Sequence, residues 1–268
     1  MRLLFHHDGP GRSAHPYELD EVGLIEIYRH PVGPDGRAWL RTNFVATLDG
    51  AISGADGRSG GINTDSDHHV FALHRALADV ILVGAQTVRT EGYRAVDLAD
   101  WQREIRFRQG LQPFPTLAVV SRSLDLDPAL AHPDRPHGPV VIITTGHPST
   151  ELEPFRSAGI EVSPVESSED QRVDLARAVA DLAAAGMPRI LCEGGPRLHR
   201  DLLAADLVDE LSLTLSPLVV GGVGQRATSG AALPHQLGFN LHHALWAEDQ
   251  TLFTGYRRRR TVTGPLSY

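Results

Sequence analysis

The stretch RILCEGGPRLHRDLL (residues 189–203) decides how the chain reads. An apolar strand, RILC, runs into Gly194-Gly195 and then at once into a segment of helical period that opens on Pro196. Proline at the first helical position costs nothing, because that N–H has no partner inside a helix. Two glycines in such a turn let an anion approach the backbone. The first free amides of the helix, around Arg197 and Leu198, then point at it. The helix dipole adds on the order of 0.3–1 kcal/mol toward a negative group. A Gly-Gly turn also serves plain tight packing, so the motif gains weight only beside others.

Outward from this stretch the same alternation continues. The runs WLRTNFVATL (39–48), DVILVG (79–84), TLAVVS (116–121), PVVIITT (139–145), GIEVSPV (159–165), RILCEG (189–194) and ELSLTLSPLVV (210–220) are strand-like. Segments of helical period lie between them at 64–78, 149–158, 172–185 and 195–205. Thr64 followed by Asp67 reads as an N-cap with an acid at the third position, and Gly186 with Pro188 ends the third helix. Alternation of this kind predicts an α/β fold with a largely parallel sheet covered on both faces. Residues 1–37 carry too little apolar periodicity for a core and read as an extension packed on a single domain, 38–268. The polar, arginine-rich segment Trp101 to Gln112 reads as an exposed helix or loop.

Composition narrows the chemistry. The chain has 268 residues, 41% hydrophobic and 22% charged, the profile of a core-forming protein. All 25 basic residues are arginine. A pyridoxal Schiff base, a lysine P-loop and a protein-kinase site, which all need a lysine amine, are therefore excluded. One cysteine, Cys192, excludes an internal disulfide and a cysteine-based zinc cage. The net charge of −8 repels nucleic acid and anionic membranes. With no long apolar run and no apolar leader, a cytoplasmic protein is expected.

Other strand ends carry anion-compatible groups. Gly84 closes DVILVG and is followed by Thr87; Ser121-Arg122 closes TLAVVS with a hydroxyl beside a planar fork of donors. Each alone reads equally as a routine turn or a solvated arginine. Together they fit the rule that open α/β sheets bind ligands beyond the carboxyl ends of their strands. Two carboxylates also leave strand ends: Asp49, before Gly50, and Glu193, before Gly194. Either could hold a proton near neutral pH if partly buried, although Asp-Gly is also an ordinary turn signal. The His pairs at 6–7, 68–69 and 242–243 lack metal-ligand spacing, so no metal is expected. Cys192 reads as a small core residue, and Arg257 to Arg260 as a solvated terminus.

Taken in order, NFVATLDGAIS, RSGGINTDSD, ADVILVGAQTVRTEGY, LAVVSRSLDL and ILCEGGPRLHRDLLAADLVDELSLTLSPLVVGG resemble the reductase domain of the riboflavin-biosynthesis deaminase–reductase over about 39–225. The match is to the reductase half without the zinc deaminase half, so a free-standing reductase is expected, and WLRTNF and VRTEGY resemble the stand-alone actinobacterial-type branch. The resemblance implies a three-layer α/β/α, dihydrofolate-reductase-like fold with a mostly parallel mixed sheet, NADPH as cofactor, and a homodimer. It places Ala46, Gly61, Thr87, Glu91 and Ser121 at cofactor contacts and Gly195 through Asp201 at the pyrophosphate, with Arg122 near the 2′-phosphate. Ser59, Arg75 and Glu193 fall at substrate contacts, Arg75 answering a phosphate and Glu193 or Asp49 supplying or orienting a proton. The implied reaction is reduction of the ribosyl group of 5-amino-6-(5-phosphoribosylamino)uracil, or a closely related pyrimidine, to a ribityl chain. Three departures fall on the substrate side: Asn43-Phe44 where the family has a lysine, Gly61-Ile62-Asn63 for Trp-Ile-Thr, and TEGYRAVD (90–97) for an acidic Pro-containing run. They leave open a dihydrofolate or other pterin reductase, or a non-catalytic NADPH-binding protein.

Overall fold

A computed structural model of the chain describes residues 1–7, 17–31, 35–131, 135–165 and 172–260. Seven of its strands form the central and distal sheet: β3 (Trp39–Thr47), β4 (Val80–Gly84), β5 (Thr116–Val120), β6 (Val140–Thr144), β7 (Glu161–Pro164), β8 (Arg189–Cys192) and β9 (Glu210–Ser216). Four more extend one edge: β1 (Arg2–His6), β2 (Tyr17–Glu18), β10 (Phe239–Trp246) and β11 (Leu252–Arg258). The order is β2-β1-β10-β11-β9-β3-β8-β4-β5-β6-β7. Pairings from β9 through β7 are parallel, and those from β2 through β9 are antiparallel. The sheet is thus mixed and mostly parallel.

Side-chain alternation divides the parallel strands between two helical layers. Leu40, Val80, Leu82, Ala118, Val141, Ile143, Ile190 and Cys192 face α6 (Leu175–Ala184) and α7 (Pro196–Ala204). Ile81, Val83, Leu117, Val119, Val140, Ile142 and Leu191 face the other way, toward α3 (Ala85–Glu91) and α5 (Ser149–Ser157). On that second side, α1 (Glu21–Tyr28), α2 (Asp65–Leu77) and α4 (Asp100–Arg108) share a core with Leu3, Leu245 and Phe253. Helix ends follow local chemistry. Thr64 Oγ1 accepts from the Asp67 amide to start α2, and Asp174 caps α6 through the Arg177 amide.

Three expectations change. Residues before 38 contribute buried Leu3, Leu24, Ile27 and Tyr28, and β1 pairs with β10, so this segment builds both sheet and core. Within the polar segment 101–112, Arg106 is fully buried and donates to the carbonyls of Ala76, Ala78 and Gln112, so its charge serves helix ends and turns that no water reaches. The arginine run is the end of an inner strand: Arg257 faces Glu210, Arg258 pairs with Asp206, and Arg260 with Asp209. Cys192 is buried, and burial pushes its thiol up to about 12. No described helix is long and apolar enough to cross a membrane.

A buried polar knot joins the two halves of the sheet. Arg41 on β3 donates to Glu210 on β9 at 2.8 Å and to the Tyr28 carbonyl at 2.6 Å, and contacts His74 Nδ1 on α2 at 3.2 Å. His74 Nε2 meets Ser212 Oγ at 3.1 Å. Burial lowers the pKa of His74, takes His199 to about 4 and takes His243 to about 3. Unfolding returns these imidazoles to an ordinary value near 6.5. The unfolded state therefore binds protons that the native state refuses, and stability falls as pH drops below about 6.5. Urea unfolding should show a plateau above pH 7 and, from the two histidines with defined values, a loss on the order of 2 kcal/mol between pH 6 and 5. An unchanged midpoint across that interval would mean the native imidazoles are charged and solvated. Arg41→Ala leaves Glu210 buried without its main partner and should cost about 3–5 kcal/mol in the same assay.

Candidate active site

A cleft of about 1630 Å³ runs along the carboxyl ends of the parallel strands. Gly84, Val120-Ser121 and Glu193 mark where β4, β5 and β8 reach it. Such strand ends are where open α/β sheets take ligands, because helices begin there and free amides converge.

The turn after β8 shapes its centre. Glu193 N still donates to the Leu82 carbonyl at 3.0 Å, completing the ladder with β4. Gly194 then adopts φ 94°, a left-handed conformation that favours glycine, and a cis peptide links it to Gly195. A Cβ on Gly195 would lie 2.4 Å from Thr87 Oγ1, so any larger residue would push that hydroxyl aside. Gly84 N donates to the Gly194 carbonyl at 2.9 Å, which holds the two turns together. Gly195 is the N-cap of α7 with no side chain closing it, and Pro196 follows. The opening turn of α7 thus presents free amides to the cleft. His199 fixes the helix below: its ring packs 4.7 Å from Phe44, and its Nδ1 meets the Ala227 carbonyl at 2.9 Å.

Beside this turn, Ser121 is buried and its hydroxyl has no partner, while Arg122 and Ser123 continue the rim. Among the described residues no carboxylate pairs with the Arg122 side chain. Glu91 accepts from the Ser59 amide at 3.0 Å, closing the loop after β3 over α3.

The middle of the cleft is an ionic cluster. Arg75 Nε and Nη2 donate to the two Glu193 oxygens at 2.8 and 2.7 Å, and Tyr93 Oη donates to Oε2 at 2.7 Å. The Arg75 guanidinium also stacks 4.4 Å from the Phe71 ring centre. The Glu193 side chain is 1% exposed, so its charge is held by these three donors rather than by water. Burial and the Glu193 charge raise Tyr93 well above the usual phenol range, so its hydroxyl stays protonated.

Of the residues singled out from sequence, Ser59, Arg75, Gly84, Thr87, Glu91, Ser121, Arg122, Glu193, Gly195, Pro196, Arg197 and Leu198 line the cleft. Ala46, Asp49, Gly61 and Gly194 are outside its lining. Asp49 is exposed, and its carboxylate accepts from Thr47 Oγ1 at 2.5 Å and the Gly221 amide at 2.7 Å. The Thr47 bond, then the Gly221 amide, hold its pKa below the usual carboxylate value, so its charge fastens this turn outside the cleft lining. Asn43, Asn63 and Tyr93, named from sequence only as parts of substrate-side departures, also line the cleft, and so do Phe71 and Asp67, which sequence reasoning did not place there. Phe71 and Asp67 could have been found from their spacing of four and eight residues to Arg75 on α2. Among the described residues no group of three or more His, Cys, Asp or Glu side chains is placed to hold a metal.

Comparison with known proteins finds relatives in sequence and in fold. The chain is 26% identical over 186 residues to the 2,5-diamino-6-ribosylamino-4(3H)-pyrimidinone 5′-phosphate reductase of Archaeoglobus fulgidus, covering 69% of this chain and 83% of that one. It is 30% identical over 191 residues to the riboflavin biosynthesis protein RibD of Chlamydia muridarum, of which it spans 49%. The crystal structure of a pyrimidine reductase-like protein from Corynebacterium diphtheriae superposes with a TM-score of 0.73 at 24% identity, covering 89% of this chain and 99% of that one. The riboflavin biosynthesis reductase Rib7 of Saccharomyces cerevisiae gives 0.61 at 14% identity, covering 87% and 97%. The three-layer α/β/α architecture expected from the resemblance is the one observed. With the pattern that defines the RibD C-terminal domain matching residues 38–250, the chain belongs to the RibD C-terminal domain family.

Proposed function

We propose that the chain is an NADPH-dependent reductase that converts the ribosyl group of a phosphorylated ribosylaminopyrimidine into a ribityl chain. The observation that carries this reading is one continuous cleft that joins an anion-receptive turn to a buried charge cluster. At one end stand the uncapped N-terminus of α7 and Ser121-Arg122; in the middle stand Arg75, Glu193 and Tyr93. The first part suits a dinucleotide. Gly195 brings the backbone to the pyrophosphate, the α7 amides receive its charge, and the unpartnered Ser121 hydroxyl with Arg122 suits a 2′-phosphate.

NADPH, when bound, supplies a hydride to C1 of the opened sugar in its imine form. The imine nitrogen then takes a proton, so the carbon–nitrogen double bond becomes a single bond. Proton handling falls to the central cluster, since Asp49 lies outside the cleft lining. Glu193 orients the Arg75 guanidinium and the Tyr93 hydroxyl, and the unused Arg75 Nη1 answers the substrate phosphate. Burial removes water from this cluster, which strengthens its charge–charge contacts and protects the reacting carbon.

A homodimer is part of this reading. The register aligns Leu211, Leu213 and Leu215 of β9 with Tyr256, Thr254 and Leu252 of β11, and these with Leu241, Ala244 and Trp246 of β10. This face lies on the α7 side, yet none of these residues belongs to a core cluster, and the leucines remain half-buried. An apolar sheet face without helices fits a second copy of the same chain.

Purified protein should oxidise NADPH in the presence of a ribosylaminopyrimidine phosphate, followed at 340 nm; absence of turnover with any pyrimidine or pterin, despite tight NADPH binding, would leave only a binding protein. Arg122→Ala should raise the KM for NADPH by about 10- to 100-fold, equivalent to about 1–3 kcal/mol, and leave NADH unchanged. Equal losses for both cofactors would assign Arg122 to packing. Leu252→Glu, at the uncovered face, should convert the dimer to monomer in light-scattering chromatography; a wild-type protein already monomeric would remove that part of the reading.

A further inference from the structure

The cleft contains an acid that the reading above does not use. Asp67 is the third residue of α2, is 4% exposed, and lines the cleft. With Phe71 and Arg75 it forms a stripe at four-residue steps, so the three side chains share one face of the helix. Arg75, two steps further along the helix, pairs with Glu193 instead. The groups that act on Asp67 are His68 beside it, Asp249 from the turn after β10, and the Thr214 hydroxyl of β9 as a hydrogen-bond donor. Burial, with Asp249 acting in the same direction, outweighs the Thr214 bond and His68 and raises its pKa above the usual carboxylate value.

Two acceptors on the same cleft have no donor at all. Oδ1 of Asn43 and Oδ1 of Asn63 are buried without a hydrogen-bond partner, and both residues line the same cleft. Asn43 stands beside Ser212 in the β3–β9 register, one same-face step from Thr214. Asn63 immediately precedes the Thr64 cap of α2. Buried acceptors without donors are uncommon in native proteins, because each forfeits its hydration. A ligand rich in ring and exocyclic N–H groups would satisfy these two and add donors to the single one that Thr214 gives Asp67.

We propose that Asp67 selects the substrate ring by its 2-amino-4-oxo edge, its carboxylate receiving the adjacent N3–H and 2-NH2 donors. A uracil offers N3–H flanked by two carbonyls, so one carboxylate oxygen would face a carbonyl oxygen with no proton between them. Sites built to pair a specific donor discriminate strongly against an analogue that lacks it. The edge is shared by 2,5-diaminopyrimidinones and by reduced pterins, and the two are separated by whether a phosphoribosyl group is reduced. This proposal rests on the reductase reading for its substrates but makes its own claim about ring choice.

The test offers three compounds to the protein with NADPH: the ribosylamino 2,5-diaminopyrimidinone phosphate, the corresponding aminouracil phosphate, and dihydrofolate. Binding is measured by calorimetry and turnover at 340 nm. The wild type should favour a 2-amino ring over the uracil by tenfold or more in kcat/KM and in binding. Turnover of the diaminopyrimidinone or of dihydrofolate would then say which 2-amino compound is the substrate. Asp67→Asn replaces one acceptor by a donor and suits N3–H beside a carbonyl. It should cost the 2-amino ring at least tenfold, narrow or invert the preference, and leave the KM for NADPH unchanged. Equal use of both rings by the wild type, a preference for uracil, or a proportionate loss of both in the variant would overturn the proposal. If no compound turns over but the wild type still binds the 2-amino ring preferentially, the reductase reading falls and the assignment of Asp67 stands; equal binding without turnover removes both.

Discussion

The site depends on the need to satisfy one buried carboxylate. Glu193 leaves the last rung of β8, where its own amide is still bonded to β4. The backbone then turns through a left-handed glycine, so the side chain cannot retreat to solvent. A carboxylate in that position would be destabilising by several kcal/mol if left alone. Arg75 and Tyr93 supply its donors, and they come from α2 and from the segment after α3. Three elements distant in sequence are therefore fixed to one point at the end of the sheet. The cleft has its shape because each of them passes that point.

The same geometry divides the cleft into two chemistries. On the α7 side the contacts are glycine backbone, helix amides and two hydroxyls: Gly84, Gly195, Thr87 and Ser121. A side-chain replacement alters these little unless it adds a Cβ where none fits. On the α2 side the contacts are side chains: Asn43, Asn63, Asp67 and Phe71. Their identity sets which hydrogen-bond pattern the cleft accepts. Change of ring preference can thus proceed on α2 and β3 without disturbing the turn that receives a cofactor.

Legibility in the sequence follows from how local the cause is. The parallel strands were readable because each is a short β-branched run closed by glycine or serine. The starts of α2 and α7 were readable because Thr64 and Pro196 act within one turn. The antiparallel edge was not. In β9 the alternation is inverted: Glu210, Ser212, Thr214 and Ser216 are buried, and the leucines between them are half-exposed. Only partners far along the chain, Arg41 and His74, make a polar face the inner one. The arginines at 257–260 look like a solvated terminus until Asp206, Asp209 and Glu210 are brought beside them.

Asp67 shows the same limit at the site itself. In sequence it is the acid expected three residues after a threonine cap, and its amide does complete that cap. Helix initiation explains the residue fully, so no functional signal is left to notice. The structure separates the two roles: the backbone serves the helix, and the carboxyl is buried against Thr214 in the cleft. Helix capping works equally well with a solvated acid, and a solvated acid loses nothing. Burial of this one, in a cleft that also strands the oxygens of Asn43 and Asn63, has a cost that capping does not offset. That burial, beside two oxygens with no donor at all, is the physical reason to look for donors on whatever the cleft receives.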